Sequence, residues 1–196
     1  MSLILASGSA VRKRMLEAAG LVFEVEIAPI DEEAAKTSLR ADGLKPRDQT
    51  SALAELKAVS VSRTRPGLVI GADQMLAIDD ETLDKPKSMG EAREHLRFLR
   101  GRTHELVCAA AVARDGVVVW RHVDTPRLTM RAFSDEFIGR YVERAGEAVL
   151  KSVGAYQLEG LGAQLFERVE GDYFSVLGLP LLPLIAFLRE QGLSQL

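Results

Sequence analysis

The segment Ser7-Gly8-Ser9-Ala10-Val11-Arg12-Lys13-Arg14 joins a small-residue turn to three cations. Backbone N–H groups at a helix start are free to bind an anion. The helix dipole disfavours cations in a first turn by roughly 0.3–1 kcal/mol each. A sequence that breaks a local rule tends to do so for a function. A bound polyphosphate turns that penalty into attraction. A solvated basic face is the alternative reading of the same residues. Asp73 follows the continuous apolar run Leu68-Val69-Ile70-Gly71-Ala72. In open α/β sheets, ligands bind beyond the carboxyl ends of strands. A carboxylate there can hold a metal ion or take a proton from water, or it can cap the next turn.

Weaker signals accompany these two. Asp84-Lys85-Pro86-Lys87 sets a lysine beside a proline that limits its backbone. A lysine is a point charge for phosphate, although such a stretch also suits a surface loop. Lys57 falls at the edge of a helix face bearing Leu53 and Leu56, where a snorkelling lysine is common. Glu32, in Asp31-Glu32-Glu33, offers a hard oxygen ligand for magnesium or simply belongs to a solvated acidic loop. The stretch from Gly154 to Ala163 is rich in glycine and can approach a ligand closely or form ordinary turns. Phosphate cations, carboxylates for a metal and a permissive loop together match the needs of metal-assisted attack on a phosphate ester.

Elements must hold these residues. Residues 2–6 read as a buried strand, and Ser9 can cap a helix to about Ala19. Val22 to Ala28 alternates as a half-exposed strand with Phe23, Val25 and Ile27 on one side. Ala34 to Asp48 is polar, holds Gly43 and Pro46, and reads as a mobile connection; Gln49 to Arg63 reads as a helix. The run from Leu68 suits a central strand ending at Asp73. Met75 to Ile78, a turn at Asp79-Asp80, and Thr82-Leu83 suggest a hairpin. Met89, Ala92, Leu96 and Leu99 repeat at helical spacing. A second hairpin runs through Leu106 to Ala113, Asp115-Gly116 and Val117 to Val123. A strand near Arg127 to Arg131, a helix capped by Ser134, and a final helix from Leu181 to near Gly192 complete the chain. This interleaving predicts a mixed α/β sheet. The strand ends near Ala6 and Ala72 are expected to line one cleft.

Composition narrows the function. The chain has 196 residues, 47% hydrophobic and 27% charged, with a net charge of −3, so a packed core is expected and general affinity for nucleic acid polymers or acidic membranes is not. Cys108, the one cysteine, sits in an apolar stretch and reads as a buried thiol in a reducing cytoplasm. The histidines His95, His104 and His122 lack zinc-site spacing. Neither a signal peptide nor a membrane anchor is expected from the N-terminal residues.

The chain resembles the Maf family of nucleotide pyrophosphatases over nearly its whole length. The resemblance is carried by Leu5-Ala6-Ser7-Gly8-Ser9 with Arg12, Asp31-Glu32, Lys57-Ala58, Gly71-Ala72-Asp73, Lys85-Pro86, Gly154-Ala155-Tyr156, Glu159-Gly160, Gly162-Ala163, Gly171-Asp172-Tyr173 and Gly178-Leu179-Pro180-Leu181. It implies one Maf-like domain over residues 1–196, with a mixed-sheet α/β fold like that of inosine triphosphatases, two lobes around a cleft, and frequent homodimers. It implies a divalent cation, Mg2+ or Mn2+, and a nucleoside triphosphate cut to monophosphate and pyrophosphate. Asp73 is then the catalytic carboxylate and a metal ligand with Glu32. Ser7, Arg12, Lys13, Lys57 and Lys85 hold phosphates.

The pattern departs from the family at four places. Ala10-Val11 replaces the common Pro-Arg, Gln74 a common threonine, Glu159 a common glutamine, and Asp84 a common glycine. Gln74 and Glu159 together resemble the branch acting on 7-methyl-GTP, which tends to carry tryptophan where this chain has Val11. These three residues are therefore the candidates for base specificity. A sugar-nucleotide transferase and a non-catalytic nucleotide-binding regulator of cell division are the competing readings.

Overall fold

The computed structural model describes residues 2–79 and 81–193. Strand β1 (Leu3–Leu5) leads through Ser9 into helix α1 (Ala10–Ala18). Next come β2 (Glu24–Val25), α2 (Glu32–Ala41), α3 (Pro46–Ser62), β3 (Leu68–Ile78), β4 (Glu81–Leu83) and α4 (Met89–Leu99). Then follow β5 (Thr103–Arg114), β6 (Val117–Asp124), β7 (Arg127–Met130) and α5 (Asp135–Ala145). Three 3-10 turns lead to β8 (Phe166–Glu170), the short α6 (Tyr173–Val176) and α7 (Leu181–Glu190). The eight strands form one mixed sheet in the order β2-β1-β3-β5-β7-β8, with β4 on β3 and β6 on β5. β1 runs parallel to β2 and β3, whereas β7 is antiparallel to β5 and β8. The expected mixed α/β sheet is thus present.

Two compact units share the chain. The first comprises Met1–Gln74, Val107–Asp124 and Asp172–Leu196; the second comprises Met75–Leu106 and Thr125–Gly171. In the first, period-two alternation builds the core. Leu3, Leu5, Leu68, Ile70 and Ala72 face one side and pack with Leu16, Leu179, Leu184 and Leu188. Ile4, Ala6 and Val69 face the other and pack with Val61 of α3. Small residues draw α3 close: Ala54 and Ala58 cluster with Ala109, Ala111 and Ala113 of β5. A Cβ on Gly71 would lie 2.1 Å from the carbonyl oxygen of Ala54, so only glycine allows β3 and α3 to approach this closely.

Several expectations need correction. The segment read as a mobile connection is largely α2. Asp31 caps it by accepting from the Ala34 amide at 3.0 Å, and Glu32 and Glu33 in its first turn and Arg40 in its last complement the dipole. No residue of α2 is buried, so no apolar periodicity marked it. Pro46 starts α3 three residues before the expected Gln49. Only Glu24–Val25 of the expected strand Val22 to Ala28 pairs, and Val22 and Ile27 are 92% and 71% exposed. β3 does not stop at Asp73. Its apolar run continues and pairs Leu76 with Leu83 of β4, which leaves Asp73 in mid-strand. Asp80, in the hairpin turn expected at Asp79-Asp80, lies outside the described residues. Strand β8 was not anticipated, because four of its five residues are exposed and it lacks an apolar alternation.

The hairpin at Asp115-Gly116 forms as expected, with both residues at positive φ. Cys108 is buried, and burial pushes its thiol up to about 12. No helix among the described residues is long and apolar enough to cross a membrane.

Candidate functional site

Asp73 and Gln74 are neighbours on β3 and therefore point to opposite faces of the sheet. Asp73 shares the face of Val69 and Gly71, against which α3 packs. There the Lys57 ammonium lies 2.8 Å from Asp73 Oδ1 and 2.9 Å from Glu32 Oε2. Lys57 and Asp73 are each only 6% exposed. The expectation of a lysine at a helix edge thus gives way to a buried one, and Leu56, expected inside, is 41% exposed. Asp73 Oδ2 is buried and has no hydrogen-bond partner among the described residues. Half-burial alone would raise the Glu32 carboxyl. The hydrogen bond and charge of Lys57, with Lys36 and Arg12 further off, outweigh this and hold it below its ordinary range.

On the other face, Arg12 is held by backbone carbonyls. Its Nε donates to Gly178 O at 2.7 Å and its Nη1 to Ala72 O at 2.9 Å. Nη1 also donates to Ser7 Oγ at 3.2 Å, which ties the residues after β1 to the middle of β3. Ser7 is buried, and its hydroxyl additionally accepts from the Ser9 amide. Ser9 caps α1 as expected, accepting from the Arg12 amide. Gln74 Nε2 donates to Ser175 O at 2.9 Å and to Val176 O at 3.0 Å. Both amide hydrogens are thereby used, and Oε1 is left as the acceptor. Ser175 is fixed in turn by Asp172, which accepts from its amide, and by Asp124, which accepts from its hydroxyl.

This group unites Ser7, Arg12, Lys57, Asp73, Gln74 and Glu32. Val11 stands beside it, partly buried against the apolar core. Lys13 is not brought in: it is exposed and pairs with Glu17 one turn along α1 at 3.6 Å. Lys85 and Glu159 belong to the second unit. Lys85 lies in the loop after β4, and Glu159 is exposed in a turn, with no hydrogen bond among the described residues. Within the glycine-rich stretch, a Cβ on Gly162 would lie 2.4 Å from the Gln157 carbonyl oxygen, so this glycine serves closure of the loop on itself.

Residues 2–191 match the Maf-like protein family. The chain belongs to that family. Among its relatives, the nucleoside triphosphate pyrophosphatase of Paramagnetospirillum magneticum is 56% identical over 190 residues, covering 96% of this chain and 98% of the relative. That of Caulobacter vibrioides is 53% identical over 188 residues, covering 96% and 94%. The 7-methyl-GTP pyrophosphatase of Rhizobium meliloti is 53% identical over 191 residues, covering 97% and 96%.

Sequence reasoning missed how this Maf-like site is framed. Gly178 and Gly171-Asp172-Tyr173 were read as mainly structural, yet the Gly178 carbonyl aims Arg12, and Asp172 fixes the turn that grips Gln74. Asp124 gave no signal beyond ending an apolar hairpin strand. Acceptors for Nε and Nη1 of Arg12 are a demand of the folded state, and linear spacing does not express it.

Proposed function

We propose that the chain is a nucleoside triphosphate pyrophosphatase, converting a triphosphate and water to a nucleoside monophosphate and pyrophosphate. One observation carries this reading. Asp73, buried in mid-strand, has one oxygen held by Lys57 and the other without a hydrogen-bond partner among the described residues. The names of the relatives point the same way. The unpartnered Oδ2 accepts a proton from the attacking water, whose oxygen bonds to the α-phosphorus. The bond from that phosphorus to the bridging oxygen breaks, and its electron pair leaves with pyrophosphate. Lys57 holds Asp73 through Oδ1 before the triphosphate binds, and then joins Arg12 in neutralising phosphate oxygens. Arg12 keeps Nη2 for phosphate oxygens.

The residues fit a divalent cation. Asp73 and Glu32 are hard oxygen donors, and a buried carboxylate oxygen without a partner is what a cation would satisfy. No group of three or more His, Cys, Asp or Glu suited to a metal occurs among the described residues, so triphosphate oxygens and water would complete its shell. When bound, Mg2+ or Mn2+ supplies neutralisation of the triphosphate and polarisation of the α-phosphate.

For the base, we infer a preference for guanine, and for 7-methylguanine in particular. Glu159 has an exposed acceptor-only carboxylate, and guanine presents two adjacent donors, N1–H and the N2 amine. Thymine presents its N3–H between two carbonyl oxygens, and adenine leaves one carboxylate oxygen unmatched. Methylation at N7 adds positive charge. Gln74, with its amide hydrogens committed to Ser175 and Val176, offers the acceptor alone. The test measures pyrophosphate release from 7-methyl-GTP, GTP, ATP and dTTP with Mg2+, in the wild type and in Glu159→Gln. The guanine nucleotides should lead, with the lead reduced at least tenfold in the variant. An absence of pyrophosphate from every triphosphate would refute the activity. A leading dTTP, or an unchanged ranking in the variant, would refute base reading by Glu159.

A further inference from the structure

We infer that Lys57 occupies the place of the divalent cation between Asp73 and Glu32, so that the cation binds together with the triphosphate and not before it. The inference rests on the proposed metal site and concerns its order of assembly. The ammonium is within 2.9 Å of an oxygen from each carboxylate, which is the bridging position a cation would take. Two positive centres cannot share it, because at such separations their repulsion in a buried setting is large.

A cation arriving alone must drive Lys57 off both carboxylates. Lys57 is 6% exposed, so the displaced ammonium has no ready access to water, and a buried unpaired charge is costly. A triphosphate changes the balance. Its oxygens offer the ammonium a new anionic partner as the cation takes over the carboxylates, and they supply the ligands that two carboxylates cannot. Asp73 Oδ2, buried and without a hydrogen-bond partner among the described residues, shows that the lysine satisfies the carboxylate pair incompletely. Lys57 therefore couples the two binding events, and by linkage each ligand tightens the other equally.

The test titrates Mn2+ by the loss of its free electron paramagnetic resonance signal. It compares wild type, Lys57→Met and Lys57→Gln, with and without a GTP analogue carrying a methylene bridge between the α- and β-phosphates. In the wild type the analogue should tighten Mn2+ at least tenfold. Without the analogue, both variants should bind Mn2+ at least tenfold more tightly than the wild type, and their melting temperatures should rise with Mn2+ alone. A wild type that binds Mn2+ equally with and without the analogue overturns the inference, even if neither variant folds. So do folded variants with the wild-type Mn2+ affinity. If Mn2+ binds no protein even with the analogue, the proposed metal site falls, and the inference falls with it.

Discussion

The two faces of β3 at Asp73 and Gln74 solve the placement of polar groups differently. On the Asp73 face, the polar contacts are between charged side chains: Lys57, Asp73 and Glu32. On the Gln74 face, side chains are gripped by backbone carbonyls: Arg12 by Gly178 and Ala72, Gln74 by Ser175 and Val176. Charged side chains can exchange partners when a ligand brings its own charges. Carbonyls in a strand or a short helix cannot move away. The first face is thus suited to chemistry and the second to fixed orientation.

The largest effect should come from breaking the charged face. Asp73→Asn is nearly isosteric but removes the proton acceptor, and positioned general bases contribute about 10²–10⁴-fold. Pyrophosphate release should fall by about 10³-fold while circular dichroism stays that of the wild type; a turnover within tenfold of wild type would move the chemistry elsewhere. On the other face, Arg12→Lys keeps the charge but loses the fork that reaches two carbonyls and Ser7 at once. We expect kcat/KM to drop by about 10–100-fold. A loss of less than threefold would mean that charge alone suffices and the carbonyl grip is incidental.

The Gln74 grip is the next target. Gln74→Glu sets a carboxylate against the carbonyls of Ser175 and Val176, where no donor remains. Unsatisfied buried polar groups cost about 1–3 kcal/mol. Chemical denaturation should show a loss in that range, and Gln74→Met, which removes the repulsion but leaves the two carbonyls unpaired, should regain only part of it. A Gln74→Glu variant as stable as wild type would show that the turn at Ser175 relaxes freely.

How much of this was legible beforehand follows from what sequence patterns encode. Continuous apolar runs marked β1, β3 and the β5–β6 hairpin, and Ser9, Ser88 and Ser134 cap helices that their spacing predicts. α2 was hidden because it buries nothing, and β8 because its residues are exposed. Within the site, residue types together with the family resemblance pointed to Ser7, Arg12, Lys57, Asp73 and Glu32. They did not predict that Lys57 would sit between two carboxylates. That depends on α3 closing onto Gly71, a long-range contact between residues distant in sequence. They gave no way to separate Lys13 from Arg12, although adjacent helix positions lie about 100° apart and Arg12 turns toward Gly178.

The smallest effect concerns acid, and it separates the charged face from the rest of the fold. Glu32 titrates below its ordinary value of 4.5. A carboxyl lowered in the folded state contributes stability that is whole above its unfolded value and lost as pH falls through the folded one. Its side chain is 46% exposed, so solvent screening keeps that contribution small. His104, in the second unit, works in a higher window. Burial pushes its imidazole from 6.5 down to about 4, and its Nε2 lies 2.7 Å from the Tyr156 hydroxyl. The unfolded chain takes up this proton first, so stability is lost as pH falls from about 6.5 toward 4. Urea titrations across pH can tell the two apart. His104→Gln should flatten the stability curve mainly between pH 6.5 and 4, and Glu32→Gln only below about 4.5. If Glu32→Gln follows the wild-type curve throughout, the ion pair with Lys57 contributes nothing to the fold, and its whole value lies in holding Lys57 where a cation would sit.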